Sequence, residues 1–432
     1  MRRVLLLSTT TGYQTRSFDA AADALGVELV YGLDQCRGLE NPWVDHSVPV
    51  RFYDDPRSLD ALTRANADAP LHGVIAWGDR PTVLAAQAAE AFGLRFHPSE
   101  AARASRNKLA TRERLRAAGL PVPAFLPVAV DADPNDVLAS WSQASGPRSP
   151  LFPFVLKPLV LSGSRGVMRV DAPDDLAPAL HRLRHILEAP DVRLLKDPDA
   201  RWALVESFIP GREFAIEGLM SDGRFRCLAL FDKPDPLDGP FFEETIYVTP
   251  SAEPDAAQAR IIEVVSAACR ALGLHHGPVH AECRVNDAGV FVLEAAARPI
   301  GGLCARALRF AGSSAPSLSF EELLLRQALG EDLDAVSREP AASGVMMIPI
   351  PRAGVYRGVD GVEDARRVPL VEDLLITAVP DQHLVPLPEG ASYLGFIFAR
   401  GPSSTVVVEA LRSAHARLRF RIDPELPLAG FR

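Results

Sequence analysis

Two glutamates in the second half of the chain have the spacing of a pair of metal ligands. Glu282 shares one face of a predicted strand with His280 and Arg284. Glu294 ends a second predicted strand beyond a turn. If the turn is the three-residue loop 287–289, Glu294 falls directly opposite Glu282, and their Cβ atoms are roughly 5 Å apart. A two-residue loop would turn Glu294 to the opposite face.

Carboxylates at this separation repel each other, which raises the pKa of one or requires a cation between them. Oxygen ligands suit Mg²⁺ better than zinc, and Mn²⁺ can take the same place. Arg298 and the pair Gly301-Gly302 follow, and they offer a fixed cation and backbone N–H groups to a phosphate or carboxylate. The stretch therefore predicts a metal and phosphate site. The simpler alternative is an exposed hairpin whose glutamates face water.

The first 98 residues alternate strands with helices, which predicts a small open α/β domain with a parallel sheet. Strands are expected at 4–7, 27–31 and 72–77, and helices at 17–25 and 82–92. The GxGxxG fingerprint of dinucleotide-binding sheets is absent here. Since open sheets bind ligands at the carboxyl ends of their strands, we expect this domain to form one wall of a substrate site.

Two lysines lie where they could contact phosphates. Lys108 is part of a basic amphipathic segment, 101–119, which predicts a single helix. Lys157 lies near the end of a predicted strand and is followed by the Gly- and Ser-rich loop 161–166. Such a loop can cover phosphates with backbone N–H groups, although many ordinary hairpins also carry glycines.

Further acids follow, and then the chain changes character. Glu206 and Glu213 lie in a predicted strand–turn–strand unit. Glu244 lies with Tyr247 in a loop rich in Pro and Phe, where a lone carboxylate would suit an ammonium group. From about residue 343, short β-like runs lie among Pro and Gly, and a last helix is expected before the C-terminus. This part is interpreted as a small α+β cap.

Composition excludes several classes of function. The chain has 432 residues, 47% of them hydrophobic, and a net charge of −9, so a nucleic-acid partner is not expected. No apolar run approaches the ~20 residues of a membrane span. The five cysteines are scattered without a CxxC pair, which favours a reducing cytoplasm and argues against zinc. The N-terminal MRRVLLL is read as a first strand because its apolar run is short and no cleavage site follows.

Taken in order, these motifs resemble the ATP-grasp superfamily, and within it the carboxylate–amine ligases of the L-amino acid ligase branch, which join amino acids into dipeptides. The resemblance covers roughly residue 106 to the C-terminus and rests on Asn107-Lys108, FVLK157P with the SGSRG loop, VE206SFIPGRE213F, His280-x-Glu282 and Glu294-x-x-x-Arg298-x-x-Gly-Gly. It implies a multidomain protein of α/β and α+β class. The expected parts are an N-terminal domain (1–98), an ATP-grasp domain (99–340) with a mobile lid at about 134–208, and a C-terminal cap (341–432).

The resemblance also implies roles for individual residues. ATP would be held by Lys108, Lys157, Ser162, Gly163, Ser164, Gly166, Glu206, Ser207, Phe208, Ile209 and Glu213. Within that set the lysines would contact phosphates, residues 206–209 the adenine, and Glu213 the ribose. Glu282 and Glu294 would bind the metal. Substrates would contact Glu244, Tyr247, His280, Arg298, Gly301 and Gly302, and the catalytic residues would be Arg298, Lys157 and Glu244.

The chemistry implied is phosphorylation of a carboxylate by ATP, followed by attack of an amine on the acyl phosphate. Two departures from the family pattern bear on it. Ala296 stands where many ATP-grasp proteins have a metal-binding Asn, and Tyr247 stands where this branch tends to have His. A tyrosine with an ordinary pKa near 10 is a poor base at neutral pH.

Two alternatives stay open on the sequence alone: another ATP-grasp ligase of the purine-pathway or carboxylating type, and a nucleotide-binding protein without activity. The expected partners are ATP and small-molecule carboxylate and amine substrates, with no nucleic acid and no membrane. A homodimer is left open. The expected location is the cytoplasm.

Overall fold

A parallel four-stranded sheet forms the N-terminal domain, as the alternating pattern predicts. The computed structural model describes residues 1–9, 13–34, 47–146, 152–312 and 315–424. The elements of this domain are β1 (Arg2–Ser8), α1 (Tyr13–Leu25), β2 (Val27–Leu33), β3 (Ser47–Pro49), α2 (Asp55–Asp68), β4 (Gly73–Trp77) and α3 (Pro81–Phe92). The strand order is β3-β2-β1-β4. Ser8 pairs with Trp77, so the loops after β1 and β4 open at the same edge.

The basic segment that follows forms two helices, and the prediction of one helix is wrong. α4 (Ser99–Arg106) and α5 (Lys108–Ala117) are separated by Asn107, whose backbone is extended at φ −94° and ψ 114°. The Asn107 side chain accepts a hydrogen bond from the backbone N–H of Ala110 and caps α5. The break places Lys108 at the first position of the second helix.

The next part, residues 125–207, is called the lid and has a sheet and a hydrophobic core of its own. Its elements are β5 (Phe125–Ala129), α6 (Pro134–Ala144), β6 (Phe154–Pro158), β7 (Met168–Val170), α7 (Pro173–Glu188), α8 (Pro190–Arg193), a 3₁₀ turn (Pro198–Arg201) and β8 (Trp202–Ser207). The sheet order is β5-β8-β6-β7. Its buried core, with Trp141 and Phe154, lies between residues 128 and 205. The sheet thus begins at Phe125, while the boundary expected near residue 134 stays a prediction.

An eight-stranded antiparallel sheet joins the middle of the chain to the cap. The middle contains β9 (Arg212–Ser221), β10 (Arg224–Asp232), β11 (Ile246–Thr249), α9 (Asp255–Leu272), β12 (Gly277–Asn286), β13 (Gly289–Ala296), a 3₁₀ turn (Cys304–Ala307), β14 (Arg309–Gly312), β15 (Ala315–Ser319), α10 (Phe320–Ala328) and β16 (Ser337–Arg338). The cap contains β17 (Ala342–Ile348), β18 (Gly354–Asp360), α11 (Val362–Arg366), β19 (Val371–Ile376), β20 (His383–Leu384), β21 (Gly395–Gly401), α12 (Ser404–His415) and β22 (Arg419–Asp423). The order β13-β12-β9-β10-β11-β17-β21-β19 makes three cap strands continuous with the central sheet. The predicted multidomain α/β and α+β class is confirmed.

The helices do not suggest a membrane span. In the ranges that the structure describes, none combines the length and the apolar character needed to cross a bilayer.

Glu282 and Glu294 pair directly, but the expected three-residue loop is wrong. Asn286 pairs with Gly289, so the hairpin loop has two residues. A regular ladder from this loop would place Leu293 opposite Glu282. The register instead shifts by one residue, Leu293 bulges, and Glu294 takes the position opposite Glu282. The bulge therefore restores the shared face that the shorter loop would have removed.

His97 links the end of the N-terminal domain to the central sheet through two backbone groups. Its Nε2 lies 2.9 Å from the carbonyl oxygen of Pro278, and its Nδ1 lies 3.2 Å from the backbone nitrogen of His275. Nε2 therefore donates, Nδ1 accepts, and the ring is neutral. Because the ring is buried, the pKa of His97 falls to about 4.

We expect His97 to make the fold sensitive to acid. Its pKa is about 6.5 in an unfolded chain, so its stabilisation is complete above that pH and is lost as the pH falls toward 4. The loss amounts to about 3 kcal/mol in the free energy of unfolding. In His97→Gln the amide can still donate to Pro278, and this part of the pH dependence should disappear in urea unfolding. The exposed His181→Gln is the control, and an unchanged acid sensitivity in His97→Gln would contradict the assignment.

Candidate active site

A cavity of about 740 Å³ lies where the N-terminal domain, the lid, the central sheet and the cap meet. It is lined by every residue that the sequence predicts for the site except Gly166: Lys108, Lys157, Ser162, Gly163, Ser164, Glu206, Ser207, Phe208, Ile209, Glu213, Glu244, Tyr247, His280, Glu282, Glu294, Arg298, Gly301 and Gly302. Gly166 lies behind this wall, where its N–H donates to the Pro388 carbonyl at 2.9 Å. A Cβ there would lie 3.0 Å from the side chain of Leu183, and φ is +76°, so the position requires glycine.

The Glu206 carboxylate is held inside the protein by two cations. It lies 2.6 Å from Nε of Arg112 and 2.5 Å from Nζ of Lys157. Burial opposes the charge, but the two cations outweigh burial and keep the pKa of Glu206 below its usual value. Burial also lowers the pKa of Lys157 to about 8. The Glu206 side chain thus anchors Lys157 at the wall of the cavity.

The backbone after Glu206 presents one N–H without a partner in the described residues. Ser207 N–H donates to Ala124, and Phe208 N–H donates to Pro153. For Ile209 N–H, the described part of the chain supplies no acceptor. The segment therefore offers a backbone donor at the cavity.

Lys108 reaches the lid from the first turn of α5. Its Nζ lies 2.6 Å from the carbonyl oxygen of Leu161, directly before the Gly- and Ser-rich loop. Burial lowers the pKa of Lys108, and Glu294 and Asp79 oppose that shift. The ammonium thus lies next to the loop and interacts with Glu294 of the β12–β13 hairpin.

Lys233, at the end of β10, is the centre of the acidic part of the cavity. Its Nζ lies 2.8 Å from Glu213, 2.7 Å from Glu244 and 2.8 Å from Glu282. The Lys233 side chain is only 4% exposed. Burial opposes its charge, but the three carboxylates outweigh burial and raise the pKa of Lys233 well above its usual value. Glu213 is paired also with Nε of Arg284 at 2.8 Å.

Glu244 is not the lone carboxylate that the sequence suggests, because it shares Lys233 with Glu282. Burial and the Glu282 charge raise the pKa of Glu244 to about 7. Lys233 and His280 outweigh burial at Glu282 and keep the pKa of that carboxyl low, so the proton of the pair resides on Glu244. Tyr247 Oη donates to Glu282 Oε1 at 3.0 Å. Burial and Glu244 raise the pKa of Tyr247 further, so it is a neutral donor and not a base.

The two predicted metal ligands fit a Mg²⁺ site by their chemistry and their placement. Contacts from Lys233, Tyr247 and His280 to Glu282 all go to Oε1, and Glu282 also shares a side-chain hydrogen bond with Glu244. Glu294 pairs with Glu282 across the hairpin and is 31% exposed. Both offer carboxylate oxygens, which are the ligands Mg²⁺ prefers. Ala296 adds no ligand.

Arg298 is held by a residue of the N-terminal domain. Its Nε lies 2.6 Å from Oδ1 of Asp79, and its Nη2 lies 3.8 Å from Oε1 of Glu294. Burial opposes the charge on Asp79, but Arg298 and Lys108 outweigh it and lower the pKa of Asp79. The loop after β4 therefore contributes an ionised group to the site, in line with the expected substrate wall.

His280 is paired with a buried glutamate on the neighbouring strand. Its Nδ1 donates to Glu217, and Nε2 lies 3.5 Å from Glu282 Oε1. Burial opposes the charged ring, but Glu217 outweighs burial and raises the pKa of His280 to about 9. Glu217 also accepts from the backbone N–H of Ile300 at 3.2 Å, which fixes the start of the Gly301-Gly302 turn.

Asp79, Glu217 and Lys233 were not predicted for the site. Asp79 had a signal, because it follows β4 at the carboxyl edge where ligands bind. Glu217 also had one, since it is the single acid in the apolar run AIEGLM. Lys233 is an isolated lysine before a proline, and only the folded sheet brings it to the acids.

The chain matches three family models in order. They are described as ATP-grasp N-terminal domain (residues 18–95), ATP-grasp domain (151–307) and L-amino acid ligase C-terminal domain 2 (346–423). An L-amino acid ligase structure from Bacillus licheniformis superposes with a TM-score of 0.80 at 25% identity, over 98% of this chain and 99% of that one. The chain is an ATP-grasp ligase of the L-amino acid ligase branch. It is thus an ATP-dependent enzyme that forms C–N bonds.

Other proteins resemble part or nearly all of this ATP-grasp ligase. The alanine–anticapsin ligase of Bacillus subtilis is 29% identical over 164 residues, which cover 34% of either chain. N5-carboxyaminoimidazole ribonucleotide synthetase from Thermotoga maritima has a TM-score of 0.68 at 15% identity, over 98% of this chain and 100% of that one. The second likeness shows the fold alone.

Removing the ammonium of Lys233 from this ligase should destabilise the fold. Lys233→Met leaves three close carboxylates without their shared cation, which costs about 3–5 kcal/mol in the free energy of unfolding. Because acid protonates these carboxylates, the deficit should shrink as the pH is lowered from 7 toward 4. Urea unfolding against pH measures it, with the exposed Lys196→Met as the control. A deficit that does not change with pH would show that lost packing, not charge, is responsible.

Proposed function

We propose that this chain phosphorylates a substrate carboxylate with ATP and then joins the acyl group to an amine, and that both substrates are amino acids. The products are the amide, ADP and phosphate. The observation that carries the proposal is the shared cavity, in which Glu282, Glu294 and Arg298 lie next to Glu244. A site for phosphoryl transfer and a site for an ammonium group therefore adjoin.

ATP is proposed to bind between the lid and the central sheet. Ile209 N–H offers a donor to the adenine. Glu213 keeps lone pairs for the ribose hydroxyls, although each of its oxygens already accepts a charged hydrogen bond. Lys108 and Lys157 act as point charges on the phosphates.

Glu282 and Glu294 would hold Mg²⁺, or Mn²⁺ in its place. The ion supplies positive charge that stabilises the transferring phosphoryl group. The oxygen-only donor pair supports this assignment.

In the first step, an oxygen of the substrate carboxylate attacks the γ-phosphorus, and the bond to the β-phosphate oxygen breaks. Arg298, held by Asp79, lines the same cavity and would hold the transferred phosphoryl group. In the second step, the amine nitrogen attacks the acyl carbon, phosphate leaves, and the nitrogen loses a proton. Exclusion of water matters between the steps because water would hydrolyse the acyl phosphate.

Glu244 is proposed to bind the ammonium group of an amino-acid substrate, with Tyr247 as a neutral wall. The surrounding charges support this. With all groups ionised, the four carboxylates Glu213, Glu217, Glu244 and Glu282 outnumber the three cations Lys233, His280 and Arg284 by one charge. An arriving ammonium would also lower the pKa of Glu244 and favour its ionised form.

Replacing either metal ligand should abolish turnover while the fold is kept. Glu282→Gln and Glu294→Gln should each lower the rate of phosphate release by more than the roughly 10- to 100-fold that loss of an outer-shell partner of a metal costs, since a neutral amide is a weak ligand. Glu294→Gln is the cleaner test, because Glu282 also pairs with Lys233. If Glu294→Gln retains most of the activity at saturating Mg²⁺, the metal assignment is wrong.

Glu244→Gln should impair the use of the amino-acid substrate and leave nucleotide binding almost unchanged. We expect kcat/KM for the amino acid to fall by about 10- to 100-fold, because a charge-assisted hydrogen bond of roughly 1.5–3 kcal/mol is lost, while ATP affinity changes little. Tyr247→Phe, which keeps the wall, should have a much smaller effect. Equal losses for ATP and amino acid would show that Glu244 supports the nucleotide site instead.

The second candidate is an ATP-grasp ligase of the purine-pathway or carboxylating type, which has the same fold. The L-amino acid ligase model at residues 346–423 favours the first candidate. A screen of amino-acid pairs for phosphate release from ATP, with product detection by mass, separates the two. Phosphate release that depends on bicarbonate or a nucleotide amine, and not on amino acids, would favour the second candidate.

A further inference from the structure

One residue of the cap, Glu389, contacts helix α7 of the lid through its side chain and the loop 162–166 through its backbone carbonyl. Arg182 of α7 makes a two-point contact with Glu389, through Nε to Oε1 and through Nη2 to Oε2 at 2.9 Å. Arg165, within the loop itself, donates from Nε to the Glu389 backbone carbonyl at 2.7 Å. Arg165 is also held by Asp191 in the lid, at 2.5 Å, so it connects the loop to both parts.

Further contacts place the cap turn that carries Glu389 against the loop. Gly166 N–H donates to the Pro388 carbonyl at 2.9 Å. A Cβ on Gly163 would lie 3.5 Å from Cβ of Ala391, which lines the cavity. Both ends of the loop therefore lie close to the cap.

The cap turn, residues 385–391, is tight. The N–H of Gly390 donates to the Pro386 carbonyl at 2.9 Å. A Cβ on Gly390 would lie 1.8 Å from the Val385 carbonyl oxygen, so no larger residue fits. Glu389 is thus presented from a tight, fixed turn.

The contact between lid and cap is polar and half exposed, unlike the packing inside each part. The side chains of Arg182 and Glu389 are 42% and 38% exposed. The buried core of the lid includes no cap residue. Such a contact contributes little to the fold, and it can break and re-form without exposing a hydrophobic core.

We propose that Glu389 is a positioning residue, which fixes the loop 162–166 over the phosphates of bound nucleotide. Its contact with Arg182 must break before the nucleotide leaves. This proposal rests on the proposed function only for the identity of the ligand that lies beneath the loop. Glu389 does not touch the reacting atoms. It acts through Arg165 and Arg182.

The test is the dissociation rate of ADP. The full-length chain is loaded with Mg²⁺ and radiolabelled ADP, and unlabelled ADP is then added in excess. Glu389→Gln and Arg182→Gln should each release label about threefold to fivefold faster, as expected for loss of an exposed pair worth up to about 1 kcal/mol. The double variant should be no faster than either single one, because both remove the same contact.

Glu372→Gln is the matched control. Glu372 is also a cap carboxylate, 33% exposed, and it contacts Arg309 and Arg400 at 3.0 Å, away from the lid. It should leave ADP release unchanged. If it accelerates release as much as Glu389→Gln does, or if Glu389→Gln has no effect, the proposal is overturned.

Hydrogen exchange in the Mg²⁺–ADP complex provides a second readout if release is too fast to follow. The peptide that contains residues 162–166 should exchange faster in Glu389→Gln than in the unaltered chain, and equal exchange would overturn the proposal. A different measurement tests the proposed function: it fails if no pair of amino acids releases phosphate from ATP with the unaltered chain. The ADP release rates can still be interpreted in that case, because they do not depend on the amino-acid substrates.

Discussion

The buried ammonium of Lys233 is the constraint on which the site depends. Three carboxylates from β9, β12 and the loop before β11 lie within 2.8 Å of it. Without a shared cation, burial and mutual repulsion would force protons onto these groups or separate the strands that carry them. Because one cation serves all three carboxylates, the residues proposed to bind the ribose, the metal and the ammonium group are coupled through the charge of Lys233.

Much of the fold follows from local patterns, since alternating strands and helices, Gly/Ser loops and apolar periodicity are short-range signals. The order of the motifs was enough to identify the family and the residues around the cavity. The pairing of Glu282 with Glu294 was also expected, but for a wrong reason, because the bulge at Leu293 and not a three-residue loop brings the two glutamates opposite each other. The break at Asn107 was missed because a side-chain cap competes with helix propensity at one position. Asp79, Glu217 and Lys233 could not be placed with their partners, since these contacts join residues 11 to 219 positions apart and depend on the folded sheet.

The hydrophobic cores divide the protein into parts that pack together and a lid that packs mostly on itself. The N-terminal domain and the central sheet share one core, in which Leu5 and Val74 belong with Phe214 and Val279. The substrate wall that carries Asp79 is therefore rigid relative to Arg298. Among the described residues, the buried core of the lid consists of lid residues, with Phe241 packed against it from outside, and the links of the lid to the rest of the protein include polar pairs such as Arg106–Asp197 at 2.8 Å. A lid with a core of its own would suit the proposed reaction, whose intermediate must be kept from water.

The bulge in the β12–β13 hairpin also limits how this hairpin can change in length. In a regular strand, adjacent side chains point to opposite faces. At the bulge, by contrast, the adjacent residues Leu293 and Glu294 both line the cavity, so an apolar side chain and a carboxylate lie side by side. Adding or deleting one residue within the paired parts of the two strands, between Glu282 and Glu294, would reverse the face of the second glutamate unless the bulge were lost or duplicated. A change confined to the loop 287–288 leaves this register intact, so relatives that keep both carboxylates should vary the hairpin at its tip and keep the length of its paired strands.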